Sequence, residues 1–276
     1  MKFPIATLLL TLAVAGAYFY LSGGLLYLDQ PTIDSLALNS AKSPFGFVSY
    51  MFIHVGVAHL AGNLLPLVIF SLILEASLPL LDVLMVFLGA GIVSSTLFSF
   101  LNPSVALVGA SAAVSGLIGA AVAARPKLAL AALMASPLIF AFVLLPIVQA
   151  LSFQQQASVF GQANELGRQL EEMSYLNNAG GAAAVKEKLA VAAKKKRVLE
   201  EGAQREASTP ADFFVHIVGV AFGVAYVFFL RRKLFITGAE DFARFLRSLP
   251  FVGERKPANK VKKYGRKGAR LRPTKA

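Results

Sequence analysis

The chain has 276 residues, of which 56% are hydrophobic and only 15% are charged, with a mean hydropathy of +0.64. A soluble domain carries roughly 25% charged and about 45–50% apolar residues, so this composition excludes an ordinary soluble protein and indicates a membrane protein. The formal net charge of +12 belongs to the C-terminal tail, because residues 231–276 hold 15 Lys/Arg and 3 Asp/Glu. The chain has no cysteine, which excludes disulfides and thiolate chemistry.

Six apolar runs are long enough to cross, or nearly cross, a bilayer, which takes about 20 helical residues. They are 3–22, 47–74, 80–101, 108–124, 127–150 and 211–230. Prolines and charges separate them, for example at Pro79 and at Arg125-Pro126-Lys127. These runs predict an all-α membrane protein with six transmembrane helices. A secretory signal peptide is the alternative for the first run, but its apolar stretch exceeds the usual ~7–15 residues.

The chain divides into four predicted parts. Transmembrane helices 1–5 occupy 1–150, a helical hairpin is inserted at 151–210, helix 6 occupies 211–232, and a basic tail follows at 233–276. The hairpin is expected because apolar residues recur at helical spacing on both sides of the turn signal at 177–181. In the tail, Glu240 and Asp241 are expected in the first turn of a short amphipathic helix that ends at Pro250. Residues 254–276 lack an apolar period and are predicted to be disordered.

The short loops determine the expected orientation of the helices. If six helices alternate across the membrane, Lys2, the Arg125/Lys127 turn and the basic tail all lie on one side. Positive charge in short loops marks the cytoplasmic side. We therefore expect a multi-pass protein of the cell membrane with both termini in the cytoplasm. The long hairpin then faces outward as an extramembrane element.

Four polar residues fall at one depth in the predicted spans. Counted at 1.5 Å per residue from the cytoplasmic ends, Ser111, His216, His59 and Asn63 all lie roughly 18–24 Å up. Ionisable residues in a span are costly and are functional candidates by default. The stretch from His54 to His59 lacks the glutamate of a His-Glu-x-x-His metalloprotease motif, so a metal site is not favoured. No two spans each carry a central aspartate, which also disfavours aspartyl catalysis.

The fourth and sixth spans can approach closely because their residues are small. The fourth is almost all Gly, Ala and Ser over 109–119, and the sixth carries Gly219 and Gly223 as a GxxxG pair. Packing alone is the plainer explanation of that pair. The same closeness also allows Ser111 and His216 to act as a nucleophile and its base. His59 and Asn63, spaced i and i+4, share one helix face and can donate hydrogen bonds to an anion at the start of the Ser111 helix.

Three motifs, in the second, fourth and sixth spans, carry a resemblance to a known family. They are His54-x4-His59-x3-Asn63, Gly109-x-Ser111 and His216-x2-Gly219-x3-Gly223. In this order and on these helices they resemble the three motifs of the rhomboid intramembrane serine proteases. The resemblance covers the six spans, about 3–150 and 211–230, and it implies a rhomboid-like bundle of six transmembrane helices.

The resemblance also implies residue roles. Ser111 is expected to be the nucleophile of a Ser–His dyad, and His216 its base and then its acid. His59, Asn63 and the Ser111 N–H are expected to form the oxyanion hole. Supporting roles are expected for His54, Gly109, Gly219 and Gly223. Glu75, twelve residues after Asn63, also matches a family position and is expected to be structural.

The chain departs from the family pattern at several positions. Ala112 replaces the usual glycine after the serine, and Ser115 replaces an aromatic residue that often stacks on the catalytic histidine. The Trp-Arg pair of the first loop is absent, with Phe45-Gly46 at the aligned place, and the 152–210 hairpin is far longer than the usual fifth loop. These departures concern base orientation and loop anchoring rather than the dyad.

Two further polar residues near the motifs have mainly structural interpretations. Asp212 lies one turn before His216, but Thr209-Pro210-Ala211-Asp212 is typical of a helix cap, which is favoured over a triad role. His54 lies nearer the outer surface than the other motif residues, and we expect it to be a structural hydrogen-bonding residue.

The sequence therefore predicts a serine endopeptidase that cuts transmembrane segments of other membrane proteins near their outer ends, with no cofactor and no metal. An inactive rhomboid-like protein that binds such segments is the alternative, and a transporter or channel is disfavoured because no inverted repeat is evident. The basic tail is expected to bind anionic membrane lipid. Nucleic acid is not expected as a partner, since the tail lacks interleaved aromatics beyond Tyr264.

Overall fold

The computed structural model describes residues 3–38, 44–176, 179–208 and 213–249, which are helical almost throughout. The helices are α1 (Ile5–Ser22), α2 (Gln30–Leu36), α3 (Gly46–Ser49), α4 (Val57–Glu75), α5 (Leu80–Leu101), α6 (Ser111–Ala124), α7 (Pro126–Ile139), α8 (Leu145–Tyr175), α9 (Ala179–Ser208), α10 (Phe213–Leu230) and α11 (Arg232–Ser248). A 3-10 turn at Tyr50–Phe52 follows α3, and a π-helical turn at Phe140–Leu144 joins α7 to α8.

Long apolar helices confirm the predicted all-α membrane bundle. Within the described ranges, five helices have the length and composition to cross a membrane: α1, α4, α5, the continuous Pro126–Tyr175 helix and α10. The α6 helix is also apolar but has only 14 residues, about 21 Å, which is shorter than a ~30 Å hydrocarbon layer. If the C-terminal end of α6 is level with the ends of its neighbours, its first residue therefore lies below one face of the bundle.

The α6 helix is the centre of the bundle, because 11 of its 14 residues are buried. It packs against α4, α5 and α10, with its most extensive contacts to α10. A Cβ on Gly219 would lie 2.3 Å from the carbonyl oxygen of Ala112, and one on Gly223 only 2.0 Å from that of Gly116. Any side chain at these two positions would separate the helices, so the glycines fix the distance between α6 and α10.

The second predicted span, 47–74, is wrong at its start. The long helix begins at Val57, while Gly46–Ser49 and Tyr50–Phe52 form short turns. Between them the backbone is extended and pairs with an earlier loop, since Leu28 N–H donates to the Val55 carbonyl oxygen over 3.0 Å. The apolar run continues through this segment because the segment is buried in protein, so hydropathy alone could not locate the helix start.

The hairpin prediction needs two corrections. The helix of the fifth predicted span does not end near 150, because one helix continues from Pro126 to Tyr175 and forms the first arm of the hairpin. The second arm, α9, packs along α8 and already includes Gly180 and Gly181, which were predicted in the turn. The first two residues of that predicted turn, 177–178, lie outside the described residues. Glycine has a low helix propensity, but the residues that follow these two glycines are good helix formers. Packing of α9 against α8 also favours the helix.

The amphipathic helix of the tail is longer than predicted. It starts at Arg232, so Glu240 and Asp241 lie in the middle of the helix instead of its first turn. Gly238 does not interrupt α11, since it packs directly on the Ala123 and Ala124 carbonyls at the end of α6. The helix stop expected at Pro250, the predicted disordered segment 254–276 and the predicted cap at 209–212 lie outside the described residues.

Two carboxylates join the ends of helices that are distant in sequence. Glu75, at the end of α4, accepts hydrogen bonds from the backbone N–H groups of Ala6 (2.7 Å) and Thr7 (2.9 Å), which have no partner within α1. Asp82, in the first turn of α5, accepts two hydrogen bonds from the Arg231 guanidinium, at 2.5 and 2.7 Å. These contacts fix the ends of the bundle that lie opposite the start of α6.

Candidate active site

A cavity of about 590 Å³ lies at the start of α6 and is bordered by α4, α10 and the end of α9. Ser111, His216, His59 and Asn63 all line it, together with apolar side chains such as Phe140. The tertiary structure thus brings to one cavity the four polar residues that the depth count placed at one level. The four residues are carried by three helices, α4, α6 and α10.

Ser111 is the first residue of α6, where backbone N–H groups are free and the positive end of the helix dipole favours a developing negative charge. The preceding turn depends on Gly109, whose φ of +104° is a conformation that other residues avoid. A Cβ there would also lie 2.7 Å from the His59 ring. Gly109 therefore allows the backbone before Ser111 to approach α4 closely.

His216 is half-buried in α10, one turn from its described start, and its Nδ1 lies 3.1 Å from the Ser115 hydroxyl oxygen. When Nδ1–H is the donor in this bond, the neutral imidazole has its lone pair on Nε2, as a general base requires. Ser115 lies one turn after Ser111 on the same helix. The family often has an aromatic side chain here, so in this chain a hydrogen bond occupies the place of ring stacking.

His59 and Asn63 lie on the cavity side of α4, one turn apart. The Asn63 side-chain amide donates to the His59 carbonyl oxygen over 2.9 Å, which limits the rotation of the amide group. The amide has a second N–H that this bond does not use. The two residues thus line the same cavity as Ser111.

His54 does not line the cavity. It lies before α4, is fully buried, and its Nε2 accepts a hydrogen bond of 3.3 Å from the backbone N–H of Ala110. Its ring also meets the His59 ring edge to face, with centroids 5.0 Å apart. His54 therefore supports the turn before Ser111, which fits the structural role that the sequence suggested. Gly219 and Gly223 likewise lie in the α6–α10 contact and not in the cavity.

Sequence reasoning missed a charged residue of the cavity, Glu206, which comes from the end of the inserted hairpin. Its carboxylate accepts a 2.7 Å hydrogen bond from the backbone N–H of His59. Burial raises the pKa of Glu206, while hydrogen bonds from the backbone of His59 and Ala58 oppose that rise. The two bonded residues are 147 positions apart, so no local sequence signal could have indicated the contact.

The fold and the cavity define a class: a multi-pass helical membrane protein with serine, histidine and amide side chains around one cavity. Comparison with known proteins agrees with that class. The Rhomboid domain family matches residues 41–184, just over half of the chain. The chain belongs to the rhomboid family.

Among curated proteins, the chain is similar to "Rhomboid-related protein 2" of Mus musculus, with 31% identity over 124 residues. That region covers 42% of this chain and 41% of the mouse protein, so the two correspond over less than half of either length. No solved structure matches the chain. The family match includes the positions of His59, Asn63 and Ser111 but ends before His216.

Proposed function

We propose that this protein is an intramembrane serine endopeptidase that cleaves the transmembrane segments of other membrane proteins. The observation that carries the proposal is the shared cavity, in which Ser111 and His216 face the same space as His59 and Asn63. A nucleophile, a base and two hydrogen-bond donors are the parts that acyl transfer requires. Membership of the rhomboid family supports the proposal, because the family includes serine proteases.

The proposed reaction follows from these positions. The Ser111 hydroxyl oxygen attacks the scissile carbonyl carbon, and Nε2 of His216 takes the hydroxyl proton. The Ser111 N–H and the side chains of His59 and Asn63 donate hydrogen bonds to the oxyanion of the tetrahedral intermediate. His216 then gives its proton to the leaving amine as the peptide bond breaks. Water hydrolyses the remaining ester on Ser111 by the same steps in reverse, so no cofactor takes part.

Ser115 has a supporting part in this scheme. Its hydroxyl oxygen lies 3.1 Å from Nδ1 of His216, and when it accepts a hydrogen bond from Nδ1–H the basic nitrogen of the ring is Nε2. In a serine protease triad, an aspartate performs this function and also stabilises the imidazolium. A neutral hydroxyl orients the ring but adds no negative charge, which makes the proposed site a dyad with an orienting serine.

The short α6 helix supports the proposed route of substrate and water. Ser111 begins a helix of about 21 Å, so it lies below one face of the bundle. We propose that this is the outer face, because the Arg125/Lys127 turn and α11, which carries Arg244 and Arg247, lie at the opposite end and mark the cytoplasm. Cleavage then falls near the outer end of the substrate segment, and both termini of this cell-membrane protein are cytoplasmic.

The experiment that tests the proposal uses the purified protein in detergent with a fluorophosphonate, which modifies an activated serine. We expect wild-type protein to be labelled at Ser111 and to cleave some of a panel of single-span substrates. Ser111→Ala and His216→Ala should each abolish both signals without loss of membrane insertion, and their combination should be no worse than either alone. Ser136→Ala, a buried serine of α7 outside the cavity, is the matched control.

Two results would contradict the proposal. Cleavage that persists in Ser111→Ala would show that another group is the nucleophile. Absence of both labelling and cleavage in folded wild-type protein, together with specific binding of single-span segments, would instead favour a rhomboid-like protein that binds such segments without cutting them.

A further inference from the structure

The first turn of α4 has no cap from its own segment. Gly56 occupies the N-cap position and has no side chain, so it cannot accept hydrogen bonds from the first N–H groups of the helix. The Val57 N–H donates to the Leu26 carbonyl oxygen over 3.0 Å. The N–H groups of Ala58 and His59 then need acceptors from elsewhere, since unpaired buried N–H groups are costly.

Glu206 supplies the missing acceptor from the inserted hairpin. Its Oε1 accepts a 2.7 Å hydrogen bond from the backbone N–H of His59. An acidic group at this place also interacts favourably with the positive end of the α4 dipole. Glu206 thus does for α4 what an N-cap residue normally does, but from a position 147 residues away.

The end of the hairpin is itself anchored to the loop beside α4. Gly202 packs so closely on Tyr27 that a Cβ would lie 2.4 Å from the Tyr27 Cβ. The Arg205 guanidinium donates to the Leu28 carbonyl oxygen over 3.3 Å, and Leu199 is fully buried in a small apolar cluster with Tyr27. Because these contacts lie within two turns of Glu206, they fix the position from which its carboxylate reaches α4.

We propose that Glu206 is a positioning residue for the oxyanion hole: it holds the first turn of α4, and with it His59 and Asn63, in place next to Ser111. This inference rests on the proposed protease function. It assigns the inserted hairpin a part in the active site, since the hairpin carries the cap of the helix that bears both donors. Loss of the cap shifts the donors without removing either, so turnover falls more than substrate binding does.

Gly56 offers a second, independent means of displacing the carboxylate. The three atoms nearest to a Cβ at this position would be the carboxylate atoms of Glu206, at 2.6–2.7 Å. The Gly56 backbone is extended, with φ −149° and ψ 171°, which any residue adopts. Gly56→Ala therefore keeps the Glu206 side chain in the protein but moves it away from α4.

The kinetic test compares these variants in full-length protein with a cleaved single-span substrate. We expect Glu206→Ala to lower kcat about 10-fold, less than the about 10²–10³ of losing an oxyanion donor, with KM changed less than kcat. Glu206→Gln keeps one acceptor oxygen and should retain more activity than Glu206→Ala. Glu200→Ala removes the same charge from an exposed site on the same helix and should match wild type.

A double-mutant cycle adds the specific evidence. Gly56→Ala should lower kcat in the wild-type background but have little further effect in Glu206→Ala, because the carboxylate it displaces is already gone. Additive losses would overturn the proposal, as would kcat values for Glu206→Ala equal to those for Glu200→Ala. If Glu206→Ala fails to fold, the cycle uses Glu206→Gln in its place. Additive losses of kcat in Gly56→Ala and Glu206→Gln would then overturn the proposal.

Amide hydrogen exchange separates this inference from the proposed function. We expect faster exchange at the His59 amide in Glu206→Ala than in Glu200→Ala, whether or not the protein is a protease. Unchanged exchange would overturn the cap. If wild-type protein cleaves no substrate, the proposed function fails and the catalytic part of this inference fails with it, even when exchange shows that the cap exists.

Discussion

The hydroxyl oxygen of Ser115 lies 3.1 Å from Nδ1 of His216, and this contact joins α6 to α10 next to the cavity. Ser115 is buried, so the bond is shielded from competing water. The backbones of the two helices approach so closely that a Cβ on Gly219 would lie 3.0 Å from the Ser115 Cβ. A small hydrogen-bonding side chain fits this space, and the ring orientation of His216 follows from it.

Replacing Ser115 by alanine is expected to reduce turnover without abolishing it. A neutral hydrogen bond contributes about 0.5–1.5 kcal/mol, which corresponds to a roughly 2- to 10-fold loss of kcat. KM should change little, because the bond orients the base and does not touch the substrate. Ser71→Ala is the control, since Ser71 is also buried and donates only within α4. A loss as complete as that of His216→Ala would show that Ser115 takes part in the chemistry itself.

Replacing Ser115 by phenylalanine, the kind of residue often found here in the family, is expected to destabilise this protein. The α6–α10 contact has no room for a ring beside Gly219, and overpacking a close helix contact costs typically 1–3 kcal/mol. Thermal unfolding in detergent should therefore occur at lower temperature than for wild type and Ser115→Ala. An unchanged unfolding temperature would mean that the helices can move apart at little cost.

Asn63→Ala is expected to lower kcat by about 10²–10³, as the loss of one oxyanion donor does. Asn63→Asp keeps the shape of the side chain and removes its donors, so it should be impaired to a similar degree. His59→Ala should lower both activity and stability, because the His59 ring also packs against Gly109 and His54. Substrate cleavage and thermal unfolding measured together separate the two effects. Activity of Asn63→Ala near wild type would remove Asn63 from the proposed oxyanion hole.

The ion pair between Asp82 and Arg231 is expected to matter for stability and not for cleavage. Asp82 is 4% exposed and also accepts a 3.0 Å hydrogen bond from the Tyr226 hydroxyl, whereas the Arg231 side chain is 44% exposed. Arg231→Ala leaves a buried carboxylate without its cation and should cost about 1–3 kcal/mol. Arg232→Ala removes the same charge from the next, exposed position as a control. Equal unfolding temperatures for the two variants would contradict this role.

Two truncations separate the basic tail from α11. Ending the chain after Leu249 removes 254–276, with its ten basic residues and one acid, and should weaken salt-sensitive binding to anionic vesicles while leaving cleavage in detergent intact. Ending it after Arg232 also removes the contact of Gly238 with the end of α6, so it should lower stability as well. Vesicle binding that does not change in the first truncation would show that the tail is not the lipid-binding segment.

Much of the bundle could be predicted from the sequence because its signals are local. Apolar runs of near-bilayer length predict the helices, and small residues at 109–119 and at Gly219 and Gly223 predict the close α6–α10 contact. Helical rise is constant, so counting residues from the charged ends placed Ser111, His216 and the two donors at one depth. Their appearance around one cavity agrees with that count.

The predictions that proved wrong concern segments whose hydrophobicity does not correspond to their secondary structure. The extended segment before Val57 is as apolar as a helix because it is buried in protein, and hydropathy measures burial without distinguishing lipid from protein. The fifth helix continues to Tyr175 because no proline follows Pro146 within it, even though the apolar residues end much earlier. Hydrophobicity shows where a run of apolar residues ends, whereas backbone hydrogen bonding determines where the helix ends.

The sequence by itself predicted the long apolar helices and the polar residues that share a helix face, because these follow from composition and from the fixed geometry of the helix. Only the tertiary structure decided which polar atoms meet across helices. The Ser115–His216 bond depends on how α6 and α10 are rotated about their axes, and the Glu206 cap on where a hairpin distant in sequence returns to the bundle. Such partners are fixed by the packing of the whole chain, so no local stretch of sequence contains them.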